Sequence, residues 1–542
     1  MVKSINTKVR FQTSDSLLQK LVNTAEEKSL QNLKDFAGRT VLIEGGGYEK
    51  IWLETQPMGG EMYAKRNMEA ALNNQLLFME TAREDGRIPG SIALIDGVIT
   101  PQFNKFQGFC FPAPALNMYY LSGKDPAYLD LLYTTLERFD AYLWKVRDSD
   151  GDGCLESWCK YDTGEDHAMR YADAPDAWTE EVPPTGCEVV PMASVDIMSF
   201  SYSARDTLAQ ICEIMGKTER AKTWALKAQD VQRKIREYLW SEEKGACLDR
   251  DKNHKVMPTM IHNSLRAMYW NSLTQDMADR FVKEHLLNPK EFWTPMPLPS
   301  VAVNDPLFRN VTTNNWSGQA EALTYQRAIR ALESYGYDRI VPLLGRKLFE
   351  AIGEECRFVQ QYDPFTMQPS LVSLEGEQDA YGPAMLSVME YAARMYGVHI
   401  EREEIYWGTC SGTECTYEQE WGDNLYRIVN GERGAEGYRF FSQLPALWQT
   451  HLKQTRGKER KNALFLLDEM VTDGNAGFCD DVLELAHENG RTDTDSIRQC
   501  YYMIARKEFR PDPLHLGVGT PVLNYHPNLS AYDGLMGGDV NA

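Results

Sequence analysis

Apolar residues recur at helical spacing along eight long stretches before residue 400, and this pattern constrains the chain more than any other feature. The stretches cover 14–36, 61–83, 125–145, 194–215, 218–239, 316–334, 338–353 and 379–396. Apolar residues at i, i+3, i+4 and i+7 give a helix one stripe that must be buried against a neighbour. The stretches fall into consecutive pairs, separated by loops at 43–60, 84–114, 147–193, 291–315 and 354–378. Loops longer than about a dozen residues are uncommon inside compact domains and are usually functional. Helical hairpins joined in this way predict a mainly α fold, a toroid whose long loops gather as a cleft at one face.

The 542 residues exceed what one core usually organises, so two units are expected. A hydrophobic content of 43% with 11% aromatics excludes a disordered chain. The formal charge of −21 disfavours nucleic acid and anionic membranes as partners, because both call for basic patches. The opening MVKSINTKVRFQTSDSLLQ has no apolar core of a signal peptide, and no run of about eighteen apolar residues follows. The expectation is a cytoplasmic protein with no membrane partner. Eleven cysteines fit reduced thiols, and Cys410 and Cys415 lack a second pair at zinc spacing. Oligomeric state is not set by the sequence.

The loops carry Trp52, Trp158, Trp178, Trp293 and Trp316 in or beside them, interleaved with acidic residues. Rings beside carboxylates suit sugars, whose C–H faces stack while their hydroxyls bond to Asp, Glu, Asn and Gln. The competing reading is tryptophan packed at helix ends. Residues 161–171, YDTGEDHAMRY, place Asp162, Glu165 and Asp166 within five positions. Crowded carboxyls raise one another's pKa, which suits a proton donor, although acidic turns are also common on solvated surfaces. Asp148, Asp150 and Asp152 reproduce the start of a calcium loop, but Cys159 stands where the bidentate Glu belongs. With Glu156 they form a candidate structural calcium set, and no other cofactor is required. Gly45-Gly46-Gly47 with Lys50 lacks phosphate-loop spacing, His167 lacks a second His nearby, and no G-x-S-x-G occurs.

Six segments, in order, carry a family resemblance: IWLETQPMGGEMYAKRN (51–67), REDGRIPG (83–90), RDSDGDGCLESWCKYDTGEDHAMRY (147–171), NNWSGQAEALTYQRAIRALESYGY (314–337), QQYDPFTMQP (360–369) and DAYGPAMLSVMEY (379–391). They resemble the cleft loops of the six-hairpin (α/α)6 glycoside hydrolases, the group containing processing α-glucosidase and mannosylglycerate hydrolase, over roughly residues 10–430. The resemblance implies an (α/α)6 toroid that hydrolyses an O-glycosidic bond of a small saccharide or glycoside with inversion. It places the general acid on Asp166. It places the base on Gln360, and an amide cannot deprotonate water. Glu377, then Glu375, then Asp363 are left as candidate bases, and a catalytically inactive carbohydrate-binding domain is the alternative. Trp52, Glu54, Gln56, Trp158, Asp162, Arg170, Trp316, Gln319, Gln360 and Tyr362 are expected to bind the sugar.

Around residue 400 the pattern changes. Residues 404–431 alternate apolar and turn residues, as short strands do. From about 433 the chain is helical again, with a basic cluster, KQTRGKERK, at 453–461. Residues 434–538 resemble the C-terminal end of insertion-sequence transposases that work with a helper ATPase, most specifically at ENGRTDTDSIRQ (488–499) and NLSAYDGL (528–535). The acidic triad and DNA-binding helices of such enzymes are absent, so this fragment by itself cannot cut DNA. The expected division is a hydrolase-like domain at 1–400, truncated accessory strands at 401–432, and a small helical transposase-like unit at 433–542, a chimera whose only DNA link is its tail.

Overall fold

The computed structural model describes residues 5–370, 379–410, 413–430, 444–472 and 475–506. The chain divides into two compact units, Met1–Gly431 and Glu432–Ala542.

Twelve helices build the ring of the first unit: α1 Ser16–Ser29, α2 Gln56–Tyr63, α3 Met68–Glu80, α4 Pro112–Leu121, α5 Pro126–Val146, α6 Val195–Ile214, α7 Thr218–Lys234, α8 Asn263–Tyr269, α9 Gln275–Phe281, α10 Ala322–Glu333, α11 Ile340–Ile352 and α12 Gly382–Tyr396. The even-numbered helices form the inner ring. Each packs on the next, and α12 returns to α2, closing the circle. Outside them lie α3 on α2, α5 on α4 and α6, α7 on α6, α9 on α8, α11 on α10 and α12, and α1 on α12. This is an (α/α)6 toroid.

Burial explains which helices were visible in the sequence. The outer α7 buries only Ala221, Trp224, Ala228 and Val231, a single stripe. Every residue of α2 and of α8 is buried, so neither shows an amphipathic period. The stretch expected as one helix at 61–83 is two, because Asn67 turns the chain and accepts a bond from the Ala70 amide to cap α3. The helix expected at 316–334 begins only at Ala322, preceded by a two-residue strand, Ala320–Glu321, paired with Gln361–Tyr362.

The residues after 400 are not a separate piece. Cys415–Trp421 pairs antiparallel with Thr7–Thr13, Val9 opposite Gln419 and Phe11 opposite Tyr417, and Asn424–Asn430 adds a third strand. Phe11 and Tyr417 pack with ring centroids 6.1 Å apart, and Gln419 Nε2 donates to the Lys65 carbonyl just after α2, at 3.0 Å. The first strand of the chain thus carries this segment into the first unit. The second unit has its own core, built by Trp448, Leu466, Met470, Val482, Leu483, Ile497 and Tyr501 on helices Ala446–Gln454, Gly457–Thr472, Cys479–Glu488 and Thr494–Arg506.

Candidate active site

The segments entering the inner helices converge on Asp166. Glu54 precedes α2, Gln107 precedes α4, His262 caps α8, Glu321 caps α10 and Tyr381 caps α12. Helix N-termini carry partial positive charge, so this end of the toroid tolerates a concentration of carboxylates.

The loop holding Asp166 is fixed from below. Asp162 is fully buried and accepts from the amides of Trp158 at 2.8 Å and Phe106 at 3.2 Å and from Arg147 Nη1 at 2.6 Å. Burial pushes its carboxyl up, but Arg147 and these donors outweigh burial and hold it below the usual range. Glu165 pairs with Arg170, which also pairs with Asp249. Arg170, Arg266 and His262 overcome the burial of Glu165 and keep it ionised. Gly164 sits between Thr163 and Glu165 at φ +78°, the left-handed region, with its α-carbon against Glu54. From above, Trp316 N donates to the Asp166 carbonyl at 3.0 Å, and His167 Nδ1 bonds the Asn314 carbonyl at 3.0 Å. A carbonyl only accepts, so Nδ1 carries the proton and Nε2 accepts from Tyr161 Oη at 2.7 Å.

Held in this way, the Asp166 side chain is half-buried and reaches two amide donors, Gln107 Nε2 and Asn314 Nδ2, each at 3.1 Å. Burial raises its carboxyl above the ordinary value, and Gln107, Lys105 and Asn314 offset only part of that rise. Three more carboxylates surround it. Glu54 forms an ion pair with Arg327, and burial still lifts it to about 7. Glu44 accepts from Tyr381 Oη at 3.0 Å and is pushed well up by burial, then by the Glu54 charge. Glu321 is fully buried and, among the described residues, has no hydrogen-bond partner on either oxygen. It is pushed well up by burial and then by the charge of Asp166. The rim is formed by the half-buried Tyr48, Trp52, Lys105, Tyr161, Asn314 and Gln360. Lys50 and Lys105 stand over the Trp52 ring at 5.2 and 5.1 Å.

Family matching now adds to this geometry. A family model described as the mannosylglycerate hydrolase MGH1-like glycoside hydrolase domain matches residues 52–378, more than half of the chain. The chain belongs to this family. The MGH1-like domain therefore contains Glu54, Gln107, Asp166, Asn314, Glu321 and Gln360, while Glu44 lies just before its start and the C-terminal unit lies beyond its end. The mannosylglycerate hydrolase of Thermus thermophilus matches in fold with a TM-score of 0.55 at 15% identity, over 68% of this chain and 100% of that one. An α-L-rhamnosidase of Dictyoglomus thermophilum matches with a TM-score of 0.50 at 14% identity, over 79% of this chain and 43% of that one. A periplasmic trehalase of Escherichia coli O1:K1 is 30% identical over 99 residues, 18% of each chain. The chain thus spans under a fifth of the curated relatives it matches.

Several expected residues of the MGH1-like domain are placed elsewhere. Trp158 is fully buried, donates from Nε1 to Glu156 at 2.7 Å and stacks under Arg147 at 4.1 Å, so it supports the loop from inside. Asp162 and Arg170 are buried in the ion pairs described above, and neither reaches the cleft. Gln56 Oε1 accepts from the Trp52 amide at 2.7 Å, and Gln319 bridges Asn310 and Ser370, so both amides are spent on backbone and loop support. Tyr362 is buried in the core, and Trp316 is buried with its ring edge-on to His262 at 5.8 Å. Asp363 caps its own turn, accepting from the Phe365 and Thr366 amides at 2.8 and 2.9 Å and from Asn310 at 2.7 Å. These donors outweigh its partial burial and depress its carboxyl, which makes it a poor base. Glu375 and Glu377 lie outside the described residues.

In the candidate calcium set, Asp150 and Asp152 lie together while Glu156 is engaged elsewhere. Glu156 turns inward to Ser149 and Trp158, and Asp148, Asp150 and Asp152 each accept from an amide of their own loop. Asp150 and Asp152 also approach His254, whose nitrogen suits calcium poorly. Sequence reading missed Glu44, Tyr48, Gln107, Asn314 and Glu321. Asn314 and Glu321 were within a quoted motif, but Glu321 was read as helix interior, where an acidic residue normally points to solvent.

Proposed function

We propose that the chain hydrolyses an O-glycosidic bond of a small saccharide or glycoside with inversion, Asp166 being the general acid. The observation that carries this reading is the half-buried Asp166 carboxyl, raised by burial and clamped between two amide donors among the half-buried Tyr48, Trp52 and Tyr161. A carboxyl lifted in this way keeps its proton nearer neutral pH and can pass it to a leaving oxygen as the C–O bond breaks. Trp52 offers a stacking face, and Gln360, Asn314 and Tyr48 offer bonds to sugar hydroxyls. Inversion calls for a base about 6.5–9.5 Å from the acid, with a water between base and anomeric carbon. Membership of the MGH1-like glycoside hydrolase family supports the reaction class, while the sugar and linkage depend on loop shape. Cytoplasmic location is part of this proposal; among the described residues no helix is long and apolar enough to cross a membrane.

A panel of aryl glycosides and disaccharides, followed by proton NMR of the anomer first released, tests this reading. Turnover with the inverted anomer, abolished on disaccharides by Asp166→Asn, supports it. Gln360 favours a second reading, a cleft that binds sugar without cleaving it. Calorimetric binding of a disaccharide with no turnover by the unaltered chain would select that reading.

A further inference from the structure

We infer that Glu321 is the catalytic base of this cleft, displaced by one strand from the position that Gln360 occupies. The inference rests on the glycosidase reading above and deepens it. Gln360 does lie at the cleft, and it is engaged as an amide. Its Oε1 accepts from Tyr48 Oη at 3.0 Å, and its Nε2 donates to Asn314 Oδ1 at 3.2 Å, while Asn314 Nδ2 donates on to Asp166. This chain of bonds ties Gln360 to neutral groups with no proton acceptor of useful basicity.

The strand beside it supplies the acceptor. Ala320–Glu321 pairs antiparallel with Gln361–Tyr362, Glu321 facing Gln361, and the Ala322 amide bonds the Gln360 carbonyl at 2.9 Å. Glu321 is therefore a direct neighbour of Gln360 across the ladder. The ladder thus sets Glu321 behind Gln360, and the Asp166 charge helps to raise its carboxyl.

Of the three carboxylates around Asp166, only Glu321 has its lone pairs uncommitted among the described residues. Glu54 is held by Arg327 and wedged against Gly164. Glu44 accepts from Tyr381. Both Glu321 oxygens are buried with no hydrogen bond of full geometry among the described residues, and the neighbouring Gln361 amide is near enough to offset part of the rise of its carboxyl. Buried carboxylate oxygens without a donor are rare in native proteins, because each unmade bond leaves the desolvation of the group uncompensated. Water is the donor the reaction requires at this point, and Gln361 is placed to orient the carboxylate that receives it.

The step then balances. The water oxygen bonds to the anomeric carbon, and its proton passes to Glu321. The glycosidic C–O bond breaks, and the Asp166 proton goes to the leaving oxygen. Solvent afterwards moves one proton from Glu321 back to Asp166. Burial by itself favours protonated Glu321. A bound water donating to it restores the ionised form, so the acid limb of the rate profile should lie above the ordinary Glu range of about 4.3.

The test uses the full chain with the 4-nitrophenyl glycoside that it turns over fastest. Glu321→Ala should lower kcat about 10²–10⁴-fold with little change in KM. Sodium azide should restore the rate and yield the glycosyl azide of inverted configuration, since a small anion fills the space and needs no deprotonation. Glu321→Gln should lose the acid limb of kcat/KM and keep the alkaline one. Near-unaltered rates in Glu321→Ala overturn the assignment. A loss that azide does not repair, with the acid limb still present in Glu321→Gln, gives Glu321 a structural role and also overturns it. Absence of turnover in the unaltered chain overturns the glycosidase reading first, and this assignment with it.

Discussion

Gly164 packs so closely on Glu54 that a β-carbon there would lie 2.2 Å from the Glu54 Oε1 atom. The loop that carries Asp166 therefore passes over the start of α2 because position 164 has no side chain. It also has a positive φ that other residues adopt at a cost.

Gly164→Ala should destabilise the chain by about 1–3 kcal/mol through backbone strain alone. Turnover should fall further than stability, because Asp166 is two residues on and a displacement of about 1 Å can cost about 10²-fold. Urea unfolding beside kcat/KM measures both. An alanine variant with unaltered kcat/KM would show that the contact does not position the acid.

Gln107→Leu should move the alkaline limb of the rate profile upwards. Gln107 Nε2 stabilises ionised Asp166, so removing it leaves the protonated donor favoured to higher pH. A downward movement of the limb would contradict the role given to Asp166.

Arg170→Met should be among the most destabilising single changes in the Asp166 loop, about 3–5 kcal/mol, because Glu165 and Asp249 would lose a shared buried partner. The sign with pH follows from Glu165, whose folded carboxyl is held below its unfolded value. Its contribution is present above the unfolded value of about 4.3 and is lost as pH falls through the lower folded one. The difference in urea midpoint between the two chains should thus shrink as pH drops below about 4.3.

A chain ending after Asn430 should keep its melting temperature and the turnover proposed for the full chain. Every site residue lies in Met1–Gly431, and the helices beyond have a separate core. Aggregation of the shortened chain, or loss of turnover, would show that the C-terminal unit completes the first.

Treatment with EDTA should leave the melting temperature unchanged. Glu156, needed to complete a calcium set, is already satisfied by Ser149 and Trp158. A fall in melting temperature on chelation that calcium reverses would contradict this.

The sequence by itself determined the toroid, because outer helices such as α7 must show one apolar stripe, and such stripes survive as periodicity. It also determined where the cleft would form, since loops of that length between helical hairpins, rich in Trp and carboxylates, have few other uses. The ordered motifs singled out Asp166 in the longest of those loops. Tertiary structure alone decided the rest. The inner helices α2 and α8, buried on all sides, carry no period to read. Arg170, Trp158 and Asp162 have chemistry suited to a sugar, yet their charges and rings are spent on holding the loop, and only packing could show that. The converse holds for Glu321. Its surroundings are set by a two-residue strand pairing with residues forty positions away. Local sequence carries no record of such a partner, so a buried carboxylate there looks the same as one facing water.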